Sequence, residues 1–82
     1  MIAGYRDGEF KRLPLDERLS ALRERDGISL SKAARKIGIT KAHLWDLEQG
    51  RSANPTLKTV LAICAVYDIT VQMLTAGLKS DR

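Results

Sequence analysis

The stretch "KIGITKAHLWDLEQGR", residues 36–51, decides how this chain folds. Gly38 divides two helical patterns, and Thr40 stands where an N-cap would open a new helix. Leu44 and Leu47 repeat at the spacing of a buried helical stripe, whereas Trp45 and Asp46 point elsewhere. Gly50 ends the run ahead of Arg51. Two short helices joined by a glycine-bearing corner form a helix-turn-helix unit. Gly38 can take the backbone angles that end one helix beside the next. Ala34 is small where the two helices touch, and Ile39 plugs the corner. With Leu44 and Leu47 anchored, the opposite face of the second helix is free to enter a DNA major groove.

Working outward, the first helix starts at Pro14, with Asp16 and Glu17 at its positive end and Leu15, Leu19 and Leu22 on one stripe. Gly27 ends it. Ser29 caps a second helix over 30–37, with Ala33, Ala34 and Ile37 inward. The third helix covers about 41–49. A polar loop, 51–55, leads to Thr56, which caps a fourth helix over 57–67. Thr70 caps a short fifth helix that ends near Gly77. The expected fold class is therefore all-α: five short helices with short connections around one core. Residues 1–12 form either a small hairpin turning at Asp7-Gly8 or a partly flexible N-terminal arm. The domain is expected over 13–77, with a fraying tail at 78–82.

Composition narrows the function classes. Eighty-two residues build one small domain. The lone Cys64 excludes an internal disulfide, and one histidine, His43, gives no basis for a metal site or cofactor. No nucleophile–base–orienter set or phosphate loop is present, so an enzyme is not expected. The longest apolar run, Val60–Tyr67, is far too short to span a bilayer. No signal-peptide pattern is seen, and a cytoplasmic protein is expected. The formal net charge is +4. Between Ser29 and Lys58, Lys32, Arg35, Lys36, Lys41, Arg51 and Lys58 outnumber Asp46 and Glu48 by four, so the surplus sits on the central segment. Such a concentration suits double-stranded DNA as partner.

From Leu19 to Leu74 the chain resembles the lambda repressor-like, Xre/Cro-type helix-turn-helix family. "KIGITKAHLWDLEQGR" and "NPTLKTVLAICAVYDIT" carry the resemblance most specifically. The "SLS" opening of the second helix and the "NPTL" loop look more like the sporulation- and biofilm-regulator branch than the phage repressors. The resemblance implies a compact five-helix DNA-binding domain. It also implies a backbone grip just after the recognition helix. Many relatives carry glutamine where Leu30 stands here, so the polar contact that the resemblance implies from that position does not carry over.

Facing on the third helix follows from about 100° per residue. Ala42, Trp45, Asp46 and Gln49 lie opposite the Leu44–Leu47 stripe, flanked by Lys41 and His43. The N-terminal end of a recognition helix reaches base edges. Lys41, Ala42, His43 and Asp46 are thus the base-reading candidates. Lys41 suits guanine or phosphate, Ala42 a thymine methyl, and His43 a base edge or a phosphate. Asp46 either accepts from cytosine, rejects wrong sequences, or orients Lys41 or His43. Trp45 packs on the DNA backbone or covers a seam between helices. Ser29, Lys32, Gln49, Arg51, Ser52 and Asn54 are the further backbone-contact candidates. Glu48 falls toward the core side, where a carboxylate needs a partner. The resemblance points to Arg23, and the expected Arg23–Glu48 ion pair would set the recognition helix's angle.

The fourth helix is apolar all round from Val60 to Tyr67, as a helix covered on more than one side would be. Relatives usually carry lysine or glutamate where Ala62, Ala65 and Met73 fall. Ala62, Ala65, Val66, Val71 and Met73 are accordingly the candidate interface of a homodimer. The leading expectation is a sequence-specific transcriptional regulator, a repressor binding a palindromic operator as a homodimer. The competing one is an antitoxin or anti-regulator whose main role is to bind a partner protein, with autorepression secondary.

Overall fold

The computed structural model describes residues 7–51 and 55–76. Six helices follow in chain order: α1 (Asp7–Phe10), α2 (Leu15–Asp26), α3 (Leu30–Ile37), α4 (Lys41–Glu48), α5 (Leu57–Tyr67) and α6 (Val71–Thr75). The described residues contain no strand.

Local chemistry sets most of the boundaries. Ser29, Thr40, Thr56 and Thr70 each sit in extended backbone and accept from the amide three residues on, at Lys32, His43, Thr59 and Met73. Each bond satisfies one of the amides that a helix start leaves unpaired. Gly27 and Gly38 close α2 and α3 in the left-handed region, at φ of 63° and 91°. The third such stop is not a glycine. Asp68 ends α5 at φ 54°, with its amide donating to the Cys64 carbonyl.

The core gathers Leu19 and Leu22 of α2, Ala33, Ala34 and Ile37 of α3, Leu44 and Leu47 of α4, Ile63 and Tyr67 of α5, and Leu74 of α6. Ala33 and Ala34 are fully covered, which lets α3 and α4 cross closely at the glycine corner.

Two features differ from the sequence reading. Pro14 is the N-cap of α2, not its first helical residue: at ψ 164° its carbonyl accepts from the Arg18 amide. And in place of a hairpin or loose arm at Asp7-Gly8, residues Asp7–Phe10 form one helical turn ahead of the five expected helices. Its cause is long-range. Phe10 is buried in the core, and the Arg18 guanidinium lies 5.6 Å from the centre of its ring. Arg18 is 0% exposed. It donates to the carbonyls of Lys11 at 2.6 Å, Leu13 at 2.8 Å and Leu74 at 2.8 Å, tying the segment before α2 to α6. Burial pushes its pKa below the usual guanidinium value. The expected tail at 78–82 and the first six residues of the expected arm lie outside the described residues.

Candidate nucleic-acid interface

Leu44 and Leu47 seat α4 on the core, and Thr40 fixes where it begins. Its angle is held by a charged clamp. Arg23 Nε lies 2.9 Å from Glu48 Oε2, and Nη2 lies 3.0 Å from Oε1. This fork is the strong, directional form of an arginine–carboxylate pair. The Ser20 hydroxyl also donates to Glu48 Oε1 at 3.3 Å, and Arg23 Nη1 donates to the Ile28 carbonyl at 3.3 Å. The Glu48 side chain is only 3% exposed. The hydrogen bond to Glu48 outweighs desolvation and raises the Arg23 pKa above its ordinary value. Three points of α4 are thus fixed: its start, its core stripe and its last residue.

The opposite face of α4 is left open. Lys41, Ala42 and Gln49 are exposed, whereas His43 and Asp46 are half-buried. Trp45 is 41% exposed, a large share for an indole. Arg51 stacks above it, with the guanidinium carbon 4.9 Å from the ring centre. Such a cation–π contact orders both side chains on one face. The Arg51 amide donates to the Asp46 carbonyl at 2.9 Å and so returns the chain onto the end of α4. Gly50 makes that turn at φ 75°, where an added Cβ would stand 3.0 Å from Asp16 Oδ2.

Lys41, Ala42, Trp45 and Asp46 line a shallow groove of about 300 Å³ together with Leu30, the first residue of α3. His43 does not line it. At the start of α3 the Ser29 oxygen accepts from the Lys32 amide at 3.1 Å, and both residues are exposed. Ser52 and Asn54 lie outside the described residues. Among the described residues no cluster of His, Cys, Asp or Glu could hold a metal ion.

A second surface lies on α5 and α6. Ala65 and Val71 are exposed, and Ala62, Val66 and Met73 are half-buried. Sequence reasoning missed the two most exposed large apolar residues there, Leu57 at 70% and Leu61 at 51%. Their signal was present, since Leu57, Leu61 and Ala65 recur every four residues on one helical stripe. Leu30 was missed as a groove residue for another reason. It shares the stripe of Ala33, Ala34 and Ile37 and packs partly against the core, but as the first residue of α3 it is only half covered.

Comparison with known proteins places this geometry. A helix-turn-helix domain model matches residues 15–76. The transcriptional regulator DdrOP3 of Deinococcus deserti is 39% identical over 67 residues, covering 82% of this chain and 51% of that protein. The transcriptional regulator SinR of Bacillus subtilis is 32% identical over 60 residues, covering 73% of this chain and 54% of SinR. A crystal structure of SinR, the master regulator for biofilm formation, in complex with DNA superposes with a TM-score of 0.70. It is 32% identical, over 73% of this chain and 95% of the SinR chain. The chain spans about half the length of the curated relatives it matches.

Proposed function

The chain belongs to the lambda repressor-like, Xre-type helix-turn-helix family, and from that premise we infer that it is a sequence-specific transcriptional regulator that represses by occupying an operator. One observation carries the reading most. A helix pinned at both ends and along its core stripe turns an ordered, solvent-facing surface outward, with Arg51 already stacked on Trp45. The relative SinR has been crystallised with DNA on a closely similar framework.

In this reading α4 enters the major groove. Lys41, Ala42, His43 and Asp46 meet base edges, while Ser29, Lys32, Trp45, Gln49 and Arg51 meet the sugar–phosphate backbone. Ser52 and Asn54 continue that backbone contact. The Arg23–Glu48 pair touches no DNA and sets the tilt of α4. No catalytic role is assigned. Among the described residues no helix is long and apolar enough to cross a membrane. A regulator that occupies an operator works where the DNA is, and we assign it to the cytoplasm on that ground.

The α5–α6 surface supports a homodimer through Ala62, Ala65, Val66, Val71 and Met73, extended by Leu57 and Leu61. A two-fold pair of recognition helices would read half-sites about 34–36 Å apart. The exposed Leu57 and Leu61 also favour a second reading, in which this surface binds a different protein and DNA binding serves autorepression. Selection from random duplex DNA tests both. The first reading predicts an enriched palindrome with half-sites one helical turn apart, and replacing Ala42 or Asp46 shifts the preferred bases. Enrichment of single half-sites, with a monomeric protein in sedimentation, would favour the second reading. Enrichment of no sequence would overturn the regulator reading.

A further inference from the structure

This inference rests on the DNA-binding reading and names what one part of that face recognises. The groove between Leu30, Ala42 and Trp45 is walled almost wholly by carbon, although Lys41 and Asp46 stand at its edge. A phosphate has no use for such a hollow, because it is bound by cations and amides. In the major groove a base pair displays donors, acceptors and one carbon group, the C5 methyl of a pyrimidine. We propose that this hollow receives that methyl group.

Its walls are set before DNA arrives. Leu30 packs partly against the core, Ala42 is short enough to leave the hollow open, and Trp45 is held beneath Arg51. The polar edge reads the atom beside the methyl. In thymine the neighbour is O4, which accepts from Lys41 and is repelled by Asp46. In 5-methylcytosine the neighbour is the N4 amine, which donates to Asp46. The methyl is common to both sources, and Asp46 acquires a definite task as the group that tells them apart.

The experiment uses the full chain and a duplex enriched from random DNA. In one series each thymine is replaced singly by uracil, which removes only the methyl. In the other each cytosine is replaced by 5-methylcytosine. Removing a methyl at one position is expected to weaken binding about fourfold per half-site, the worth of one buried methyl group. If 5-methylcytosine is the natural occupant, adding its methyl strengthens binding by a similar factor and the uracil series is flat. Leu30→Ala and Ala42→Ser should each bring the ratio of methylated to unmethylated affinity close to one, whatever each does to affinity overall. Ala42 is exposed, so its variant leaves the core intact even where Leu30→Ala does not fold. A wild-type protein indifferent to every methyl would overturn the inference, and so would variants that keep the wild-type ratio. If no sequence is enriched at all, the DNA reading fails and this inference fails with it.

Discussion

Arg23→Ala tests whether the angle of α4 is held by a charge pair. The substitution removes both prongs of the fork on Glu48, at 2.9 and 3.0 Å, and leaves only the Ser20 hydroxyl at 3.3 Å. The Glu48 side chain is 3% exposed, so water cannot replace the lost donors without local opening. Removing one partner of a buried pair costs about 3–5 kcal/mol. Arg23 is itself 26% exposed, which screens part of the interaction and brings the expectation to about 2–3 kcal/mol. An 82-residue domain holds roughly 4–12 kcal/mol in all. At about 4–8 °C per kcal/mol for this size, the melting temperature should fall by roughly 10–20 °C. Urea denaturation followed by circular dichroism, with thermal melts alongside, measures both. Glu48→Gln keeps the shape and one acceptor, and it should cost clearly less than Arg23→Ala. In DNA binding, measured where the variant is still folded, affinity should fall with the salt dependence unchanged, because no phosphate contact is lost. A loss of stability below about 1 kcal/mol would refute the reasoning, since a buried carboxylate cannot be orphaned so cheaply.

Three further outcomes follow from the same geometry. Arg18→Met strips three carbonyls of a charged donor and should cost about 3–5 kcal/mol, read by urea denaturation. The buried Tyr67 hydroxyl has no hydrogen-bond partner among the described residues, and Tyr67→Phe should leave stability at neutral pH within about 1 kcal/mol of wild type. Burial raises the Tyr67 pKa from 10.0 to about 12, so the folded state keeps a proton that the unfolded chain releases. That contribution is whole below pH 10 and is lost as pH rises through about 12; Tyr67→Phe should flatten this decline in alkaline melts. Leu61→Glu places a charge at the middle of the exposed apolar stripe, and sedimentation should show a shift from dimer to monomer with the helical content retained.

The helices were legible because their signals are local. A hydroxyl at 29, 40, 56 or 70 caps whatever follows it, and Gly27 and Gly38 stop a helix by their own backbone freedom. The outward face of α4 was legible for the same reason, since Leu44 and Leu47 orient everything between them. What escaped depends on partners distant along the chain. Nothing near Arg18 announces that its guanidinium will be enclosed by carbonyls from residues 11, 13 and 74, or that Phe10 will then be drawn into the core as part of a helical turn. Asp68 has no glycine to advertise its left-handed backbone. Leu30 shares the stripe of Ala33, Ala34 and Ile37, but periodicity gives a side chain's direction and not how far its neighbours extend over it. The all-apolar run of α5 likewise showed that more than one side is apolar. Only the fold shows Ile63, Cys64 and Tyr67 taken by the core and Leu57 and Leu61 left out.

Whether this face of α4 meets phosphate is tested most directly by the salt dependence of operator binding. Titrations between about 50 and 200 mM salt give the slope of log affinity against log salt concentration, and each phosphate contact contributes about 0.9 to it. Affinity of the wild-type chain should fall steeply. For Arg51→Ala the slope should be shallower by about one, with the preferred sequence unchanged. Binding that ignores salt, or an Arg51→Ala protein with the full wild-type slope, would contradict the assignment of this face to DNA.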